Sequence, residues 1–419
     1  MAQKKVKIGV FGLGRGSHYL QSFLDCGAEV VAVCDKIQSR LDDAVKVVGE
    51  GLATYTDFDA FIEHEGLNGV FLANYFHEHA KYAIRCLEKN INVMTECTSN
   101  ANMADGVALV RAAEKSDAFY MIAENYPYMT VNMEMKKIYE SGSLGKFVMA
   151  EGEYNHPEKP NNAWFVRYHR PYLHHWRNYL ARCYYITHSI GPLMYITGAM
   201  PKKVNAFAAY TPDVKDSLAG LFVGDVAAFI NTQNDDGSVY RISGHSSFGA
   251  LDCSYRVCGM KGQVENVRGM ENQLMLRYNP WDRPAGVEKN DTLYTPVRND
   301  KDEELIKKTG HGGSDFIIAR EFVNCIRNGE KPAFDEYFAT AMASVAILAH
   351  RSILNGGAAY DVPDFHNEAD RKLWENDTDM PFPTDGKAGT MPCTSNGGYN
   401  PCEETFREYL ELVKDNDLA

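Results

Sequence analysis

The sequence lacks any run of lysine and arginine, and its 419 residues carry a formal net charge of -13 at pH 7. Because clustered cations hold nucleic acids and anionic membranes, we expect neither as a partner. A long apolar run is also missing near the start, where the basic residues 4–7 precede a short apolar stretch that Gly9 interrupts. We therefore expect neither a signal peptide nor a membrane span there.

The sequence also lacks cysteine pairs with the spacing of a zinc site. The ten cysteines are scattered from Cys26 to Cys402, a distribution typical of reduced thiols rather than of a disulfide framework. Cys253 and Cys258 are close enough in sequence to pair, as are Cys393 and Cys402, yet neither pair has a second one nearby to complete a zinc site. We expect a cytoplasmic protein with no bound metal.

The first part of the chain has the pattern of a parallel sheet covered by helices. Between residues 6 and 123, short β-branched runs alternate with segments that carry apolar residues at helical spacing. The predicted strands are residues 7–11, 30–34, 69–73, 92–95 and 119–122. We expect a doubly wound α/β domain over residues 1–126, because a chain of this length exceeds what a single core can hold.

The second part is dominated by longer strand-like segments. The predicted strands are residues 147–154, 203–210, 220–232 and 238–243, with a hairpin turn at 234–237 and helices at 131–140, 315–327 and 337–354. This mixture predicts an α+β domain with a large, mostly antiparallel open sheet over residues 127–365. Residues 366–419 are rich in Pro, Gly, Asn and Asp until a last predicted helix at 403–414, and we expect this C-terminal extension to wrap a surface or a neighbouring subunit.

A glycine-rich loop, Gly12-Leu13-Gly14-Arg15-Gly16-Ser17, follows the first predicted strand and opens a helix. In a dinucleotide-binding loop the first glycine permits the tight turn, and the second lets backbone N–H groups approach a pyrophosphate at the helix N-terminus. Here Ser17 stands in for the third glycine, where helix meets strand. The loop predicts a dinucleotide site; the alternative is a tight turn alone.

Asp35 ends the second predicted strand, at the distance from the loop where such sites carry an acid. Its carboxylate can accept hydrogen bonds from ribose hydroxyls and would repel a 2'-phosphate, so we expect NAD rather than NADP. Lys36 and Arg40 are close enough in sequence to temper that preference. A cap on the next segment is the alternative role of Asp35.

From the later strands to about Phe365, the sequence resembles the Gfo/Idh/MocA family of sugar oxidoreductases. Family strands end in Thr-Pro-Asn and in Glu-Lys-Pro, with a histidine-bearing helix between them. The corresponding segments here are Asn74-Tyr75-Phe76, His79 and Glu96-Cys97-Thr98. The resemblance implies a Rossmann fold with cofactor contacts from Asn74, His79 and Glu96. Asn125, at the end of the following strand, is either a further cofactor contact or a helix cap.

The lysine of the Glu-Lys-Pro motif is missing. In the family this lysine is thought to help move the proton of the substrate hydroxyl during oxidation. Cys97 takes its place, and a thiol is shorter, neutral and a weak donor. The other interpretation of Cys97 is a small buried side chain. We therefore expect other residues to transfer the proton.

Three segments resemble the NAD-dependent α-N-acetylgalactosaminidase group, a glycoside hydrolase branch of the same superfamily. Residues 184–192 resemble its Tyr-Pro-Thr-His-Gly-Leu-Gly-Pro segment, residues 310–316 its Gly-His-Gly-Gly-x-Asp segment and residues 335–337 its Asp-Val-Tyr. Ile186 replaces a proline, Arg182-Cys183 replace Gly-Asn, and the C-terminal extension has no counterpart. These departures leave the identity of the sugar open.

The resemblance also implies a mechanism. Enzymes of that branch are thought to oxidise C3 of the sugar with bound NAD, remove the C2 proton, eliminate the aglycone from C1, add water and reduce the ketone again. Such a route needs two bases and a tightly bound NAD, and a histidine beside a tyrosine suits the proton transfers. We expect Tyr185 and His188 to be catalytic, and the sequence leaves open which takes which proton.

An aromatic, histidine-rich segment precedes this motif, and such side chains suit the faces and hydroxyls of a sugar. The candidate substrate contacts are His156, His175, Trp176 and Arg177, joined by His311 of the glycine-flanked turn. Their aromatic and histidine neighbours are Trp164, Tyr168, His169, Tyr172 and His174. The alternatives are a surface segment with solvated histidines and, for His311, a loop that needs positive φ.

Three functions compete at this point. The first is a redox-neutral NAD-dependent glycosidase, the second a net sugar or glycoside dehydrogenase, and the third a non-catalytic NAD-binding regulator, which the missing lysine suggests. The Tyr/His motif and the aromatic segment favour an enzyme. The open sheet and the family resemblance imply a homo-dimer or homo-tetramer.

Overall fold

A computed structural model describes residues 5–157, 174–211, 224–244, 248–384 and 387–396, together with residues 403, 404, 407 and 411. The chain forms two compact units. Unit 1 comprises Met1–Glu134, Pro296–Ala343 and Asp364–Asp377, and unit 2 comprises Met135–Thr295, Ser344–Pro363 and Thr378–Ala419. The domain boundaries expected from the sequence, 126/127 and 365/366, remain a proposal.

The helices predicted at 131–140, 315–327 and 337–354 are present, each longer by one residue at one or both ends. In chain order they are α1 Ser17–Asp25, α2 Gln38–Val48, α3 Phe58–Ile62, α4 His79–Glu88, α5 Met103–Lys115, α6 Thr130–Glu140, α7 Thr187–Thr197, α8 Glu303–Ile306, α9 Ser314–Asn328, α10 Glu336–Leu354 and α11 Glu368–Trp374. The last predicted helix, at 403–414, falls mostly outside the described residues.

Unit 1 is built on a parallel sheet. Its strands are β1 Val6–Phe11, β2 Ala28–Cys34, β3 Ala53–Tyr55, β4 Gly69–Leu72, β5 Asn92–Thr95 and β6 Tyr120–Ile122. Their order is β3-β2-β1-β4-β5-β6, the order of a doubly wound dinucleotide-binding sheet, so the predicted fold is confirmed. Strand β3 was not predicted, because three residues are too few to carry a pattern.

The core of unit 1 is rich in aromatic side chains. Tyr19 and Phe23 of α1 pack on Phe71 of β4, with ring centroids 4.6 and 5.9 Å apart. Phe322 of α9 lies 6.4 Å from Phe23. Gly69 permits this close approach, since a Cβ there would meet the Phe322 ring. A helix from far along the chain therefore packs beside α1 against the parallel sheet.

Unit 2 contains the second sheet. Its strands are β7 Phe147–Asn155, β8 Pro201–Thr211, β9 Gly224–Asn234, β10 Val239–Ser243, β11 Asp252–Gly259, β12 Gly262–Val267, β13 Met270–Tyr278, β14 Asp291–Tyr294 and β15 Tyr360–Asp361. Their order is β14-β13-β12-β11-β7-β10-β9-β8-β15. Among the described strands of this second sheet, β7 and β10 form the one parallel pair, so the expected, mostly antiparallel sheet is confirmed. Strands β11 to β14 were not predicted, because charged residues on their exposed face dilute the apolar signal.

Among the described residues, α10 is the one helix that is long and apolar enough to cross a membrane, judged by length and composition alone. However, 67% of its most apolar window is buried inside the protein. Burial of this kind is typical of the core helix of a globular protein.

Candidate functional site

The glycine loop connects β1 to α1 in unit 1. Gly12 has a φ of +87°, and a Cβ there would meet the backbone of Ala73, so this position requires glycine. The second close approach is at Gly16, where a Cβ would overlap the Gly12 carbonyl oxygen. Ser17, expected to stand in for the third glycine, is instead exposed, and its hydroxyl donates to the Gly14 carbonyl at 3.2 Å.

The N-terminus of α1 has the chemistry of an anion site. No side chain caps this helix, and no acidic residue lies in its first turn. The first N–H groups of a helix carry a partial positive charge and need acceptors. The loop and helix therefore fit the pyrophosphate of a dinucleotide.

Asp35 follows β2 and is almost fully buried. Its Oδ2 accepts a hydrogen bond from the backbone N–H of Leu13 at 2.7 Å, and its Oδ1 accepts one from Ile37 at 2.9 Å. The Arg40 guanidinium lies 3.4 Å from the same carboxylate. Asp35 thus fixes the glycine loop and the turn before α2, but it does not cap that helix, which has no side-chain cap. Its contact with a ribose stays a prediction.

Asp315, in the first turn of α9, brings several predicted site residues together. It accepts hydrogen bonds from Arg15 at 2.8 Å, from Asn125 at 2.6 Å and from the His311 ring at 3.0 Å. Arg15 also pairs with Glu96 through its Nε at 3.0 Å. Asn125 makes no side-chain cap, so its amide serves this cluster instead. Sequence reasoning missed Asp315; its place in the Gly-His-Gly-Gly-x-Asp segment was the available signal.

The charge of Asp315 follows from its partners. Burial alone would raise the pKa of this carboxyl group, which is 3% exposed. The hydrogen bond from His311 and the charge and hydrogen bond of Arg15 outweigh burial, so the pKa of Asp315 lies well below its usual range. Asp315 is therefore a carboxylate at any pH at which the enzyme works.

His79 and Cys97 lie beside the carboxyl ends of the central strands. His79 is buried, and its Nδ1 donates to the Thr98 carbonyl at 2.7 Å. Burial lowers its pKa, so the ring is neutral. The Cys97 thiol lies 3.2 Å from a carboxylate oxygen of Glu124, a fully buried residue. Cys97 is half-buried and supplies no cation where the family carries lysine.

Asn74 and Glu96 follow the neighbouring strands β4 and β5. The Asn74 amide nitrogen donates to the Tyr75 carbonyl at 3.3 Å. The Glu96 carboxylate bonds Arg15 with one oxygen, and its other oxygen accepts from the Cys97 backbone N–H at 3.1 Å. Glu96 therefore links the strand end to the glycine loop.

The Tyr/His motif lies in unit 2 at the start of α7. The Tyr185 hydroxyl and His188 Nε2 are 3.3 Å apart. The Tyr154 ring packs edge-on against both, with centroids 5.5 Å from Tyr185 and 5.0 Å from His188. The His156 ring also contacts Tyr154, with centroids 5.7 Å apart. The structure therefore places three predicted residues around one tyrosine.

The backbone of His188 is held by a residue that the sequence did not indicate. Pro192 lies inside α7 and has no N–H to donate to the carbonyl four residues earlier, which is that of His188. The Tyr255 hydroxyl donates to this carbonyl instead, at 2.6 Å. Gly152 lets α7 lie directly on the sheet, because a Cβ there would overlap the Ser189 carbonyl. Tyr255 thus replaces the donor that the proline removes.

The remaining predicted substrate residues are not gathered around one side chain. His175 precedes the 3₁₀ turn Trp176–Tyr179, and its Nδ1 accepts from the Arg177 N–H at 3.4 Å. The Arg177 guanidinium stacks over the Trp176 ring at 4.5 Å. His311 has a φ of +53° and is followed by two glycines with positive φ, as its alternative interpretation expects. Trp164, Tyr168, His169 and Tyr172 lie outside the described residues.

Two sequence profiles match the chain. The profile "Glycosyl hydrolase 109, C-terminal domain" matches residues 128–372, which is more than half of the chain. The profile "Oxidoreductase family, NAD-binding Rossmann fold" matches residues 6–124. Both confirm the resemblance inferred from the motifs.

Individual relatives agree with the profiles. Glycosyl hydrolase family 109 protein 1 of Bacteroides fragilis (strain YCH46) is 25% identical over 411 residues, covering 88% of this chain and 87% of the relative. A protein of the same description from Phocaeicola vulgatus is 24% identical and covers 86% of this chain and 84% of its own length.

Solved structures share the fold. Levoglucosan dehydrogenase in complex with NADH and levoglucosan has a TM-score of 0.71 at 16% identity, covering 86% of this chain and 100% of that one. An oxidoreductase from Agrobacterium radiobacter in complex with NAD+, L-tartaric acid and magnesium has a TM-score of 0.69 at 16% identity, covering 86% and 99%. Because the C-terminal profile spans most of the chain and the N-terminal unit is an NAD-binding Rossmann fold, the chain belongs to the glycosyl hydrolase 109 family and is an NAD-dependent enzyme.

Proposed function

We propose that this enzyme is a redox-neutral glycosidase that transiently oxidises C3 of its sugar, with Tyr185 and His188 moving the protons. The observation that carries the proposal is the 3.3 Å contact between the Tyr185 hydroxyl and His188 Nε2. Cys97, in the place of the family lysine, supports it further, because a thiol is a weak donor and other groups must then handle the proton.

We assign the cofactor to unit 1. The assigned contacts are Gly12, Gly14, Arg15, Gly16 and Ser17 for the pyrophosphate, Asp35 for the adenosine ribose, and Asn74, His79, Glu96 and Asn125 for the nicotinamide half. When bound, NAD supplies reversible two-electron oxidation at C3. Arg15 places a cation beside the loop, and its two carboxylate partners restrain its position.

The catalytic pair must accept two protons and return both. One proton leaves the C3 hydroxyl and the other leaves C2, which the neighbouring ketone makes acidic. The Tyr185 hydroxyl and the His188 imidazole can exchange a proton along their shared hydrogen bond. When the aglycone leaves C1, it takes up a proton and a C1=C2 double bond forms. Water then adds its hydroxyl to C1, its proton passes to the catalytic pair, and C2 regains a proton. Reduction of the ketone restores the hydroxyl, so the pair ends each turnover unchanged.

We also propose sugar contacts by the remaining predicted site residues. His156 supports this role by its position against Tyr154, which packs on the catalytic pair. His175, Trp176 and Arg177 provide an aromatic face with polar groups around it, and this combination suits a pyranose ring and its hydroxyls. We propose His311 as a further sugar contact.

The test is incubation of the purified protein with a panel of aryl glycosides and no added NAD. We expect aglycone release catalysed by the cofactor that copurifies. Tyr185→Phe and His188→Gln should each lower kcat by about 10²- to 10⁴-fold, the usual loss for a general acid or base. Tyr139→Phe, in the same unit, is the matched control and should leave kcat unchanged. Failure of the whole panel with NAD bound would contradict the proposal.

A net sugar dehydrogenase is the second candidate. The observation that favours it is the shared fold with levoglucosan dehydrogenase. This function requires oxidation without elimination, so NADH and a keto-sugar would accumulate together as substrate is consumed. Measurement of both products with added NAD separates the candidates, because the glycosidase yields neither.

We further propose a homo-dimer or homo-tetramer located in the cytoplasm. The exposed sheet face of unit 2 carries Phe207 and Phe229, which are 58% and 49% exposed. Beside them an open groove of about 1180 Å³ is lined by charged residues such as Arg241 and Glu151. Large exposed apolar groups on a sheet favour burial against another copy. In light scattering, the mass of the wild type should be a multiple of the chain mass, and the mass of Phe229→Glu should be smaller. Cell fractionation tests the location.

A further inference from the structure

The segment after Asp377 lies beyond the matched family profile, which ends at residue 372. Residues 378–384 and 387–396, here called the strap, have their own internal hydrogen bonds. The Thr390 N–H donates to the Met380 carbonyl at 2.9 Å, and Thr384 and Lys387 exchange two backbone hydrogen bonds of 2.9 Å. These bonds make the strap an ordered element rather than an extended tail.

The first anchor of the strap is aromatic. Phe382 is 1% exposed and packs edge-on against Tyr184, with centroids 5.0 Å apart at 86°. The His350 ring also contacts Tyr184, with centroids 5.8 Å apart, and His350 Nε2 donates to the Pro392 carbonyl of the strap at 2.7 Å. Tyr184 is therefore held by the strap directly and through His350. It is the residue immediately before Tyr185.

The second anchor is polar. The Ser395 backbone N–H and hydroxyl donate to the two carboxylate oxygens of Asp225, at 2.9 and 2.5 Å. Asp225 is buried at the start of β9, and its backbone carbonyl accepts from the Arg182 Nε at 2.7 Å. Burial raises the pKa of Asp225, and the two hydrogen bonds from Ser395 oppose that rise. Through Asp225, Ser395 thus supports Arg182.

The two anchors of the strap support opposite ends of one short element. Arg182 and Tyr184 begin and end the 3₁₀ turn Arg182–Tyr184, and Tyr185 is its C-cap. A turn of three residues has too few internal hydrogen bonds to fix its own orientation. External contacts at both ends therefore decide the direction in which the Tyr185 side chain leaves the turn.

We propose that the strap is a positioning element of the catalytic pair: by fixing Arg182 through Ser395 and Asp225, and Tyr184 through Phe382, it sets the Tyr185 hydroxyl against His188. This inference rests on the proposed function of Tyr185 and His188. The strap follows the residues that the family profile matches, which end at residue 372, and it contacts the turn Arg182–Tyr184 inside the matched region.

The test compares Ser395→Ala and Phe382→Leu with Ser395→Thr and with Ser141→Ala, an exposed serine of the same unit. Ser395 is exposed, so threonine has room for its methyl group and keeps the hydroxyl. With an aryl glycoside, Ser395→Ala and Phe382→Leu should lower kcat by about ten- to a hundredfold, the range for misplaced catalytic groups. In both variants KM should change less than twofold. Ser395→Thr should keep the wild-type kcat, because threonine retains the hydroxyl.

Hydrogen exchange of a peptide that covers residues 181–190 gives a readout that needs no activity. The proposal predicts faster exchange there in Ser395→Ala and Phe382→Leu than in Ser141→Ala. A lower melting temperature with unchanged kcat and unchanged exchange in this peptide would overturn it, because the strap would then be a stabilising segment only. If the wild type releases no aglycone, the proposed function fails, and the exchange comparison still decides whether the strap restrains the turn.

Discussion

Arg15 of the glycine loop and Asp315 of α9 form an ion pair of 2.8 Å, although 300 residues separate them in the sequence. Because Asn125 and His311 donate to the same carboxylate, one side chain restrains three residues predicted to contact cofactor or sugar. The glycine loop is therefore held by its own turn and by a helix from the segment Pro296–Ala343, which returns to unit 1.

Asp315→Asn should loosen the cofactor loop. The change removes the charge that faces Arg15 and leaves Glu96 as the one carboxylate paired with this guanidinium among the described residues. Loss of one partner of a buried pair should lower the free energy of unfolding by at least about 2 kcal/mol. Denaturant unfolding and the NAD content of the purified protein measure both effects. Asp43→Asn, at an exposed pair with Lys46, is the control. Full NAD content and unchanged stability in Asp315→Asn would refute this role.

Asp35→Asn tests the choice of dinucleotide. The amide keeps the shape of the carboxylate and an acceptor for the Leu13 N–H, but it no longer repels a 2'-phosphate, and Arg40 lies close by. We expect the ratio of NADP to NAD affinity to rise by about tenfold or more, which corresponds to about 1.4 kcal/mol. Titration of the cofactor-free protein with NADH and NADPH measures the ratio. Asp42→Asn, on the exposed face of α2, should leave the ratio of NADP to NAD affinity unchanged. If Asp35→Asn had the same ratio as the wild type, the ribose contact would be excluded.

The sequence predicted the features that local patterns encode. The glycine loop, Asp35 and the Tyr185–His188 pair each lie within one turn or at one strand end, where neighbouring residues reveal the geometry. Asp315 and Tyr255 were missed because their partners lie 300 and 67 residues away. A single sequence carries no signal for such pairings before the fold is known. The close approach at Gly16 rather than Ser17 depends likewise on where α1 begins.

Tyr255→Phe should impair catalysis through the backbone of His188. The change removes the hydroxyl that donates to the His188 carbonyl, and Pro192 has no N–H to replace it; loss of such a hydrogen bond costs about 1–3 kcal/mol. We expect lower kcat with little change in KM. Pro192→Ala restores an N–H at the fourth position, so the double variant Tyr255→Phe/Pro192→Ala should recover much of the loss. Equal kcat and thermal stability in Tyr255→Phe and the wild type would contradict this account.

Acid should destabilise unit 2 through His350. Burial lowers the pKa of this histidine to about 4, whereas its value in an unfolded chain is about 6.5. As the pH falls from about 6.5 to 4, the unfolded chain binds a proton that the folded chain does not, so stability falls, by about 3 kcal/mol in total. His350→Gln should flatten this part of the pH profile of unfolding. His366→Gln, at an exposed site, should leave this profile unchanged. Parallel pH profiles of unfolding for His350→Gln and the wild type would disprove the role of His350.

The central claim is that the reaction removes and replaces the C2 proton without net redox change. The most direct measurement is turnover of an aryl glycoside in D2O, with mass spectrometry and NMR of the released sugar and absorbance of NADH. We predict deuterium at C2 of the released sugar, from solvent, with no net formation of NADH. Release of a sugar that keeps its original C2 proton, or accumulation of a keto-sugar with stoichiometric NADH, would contradict the account.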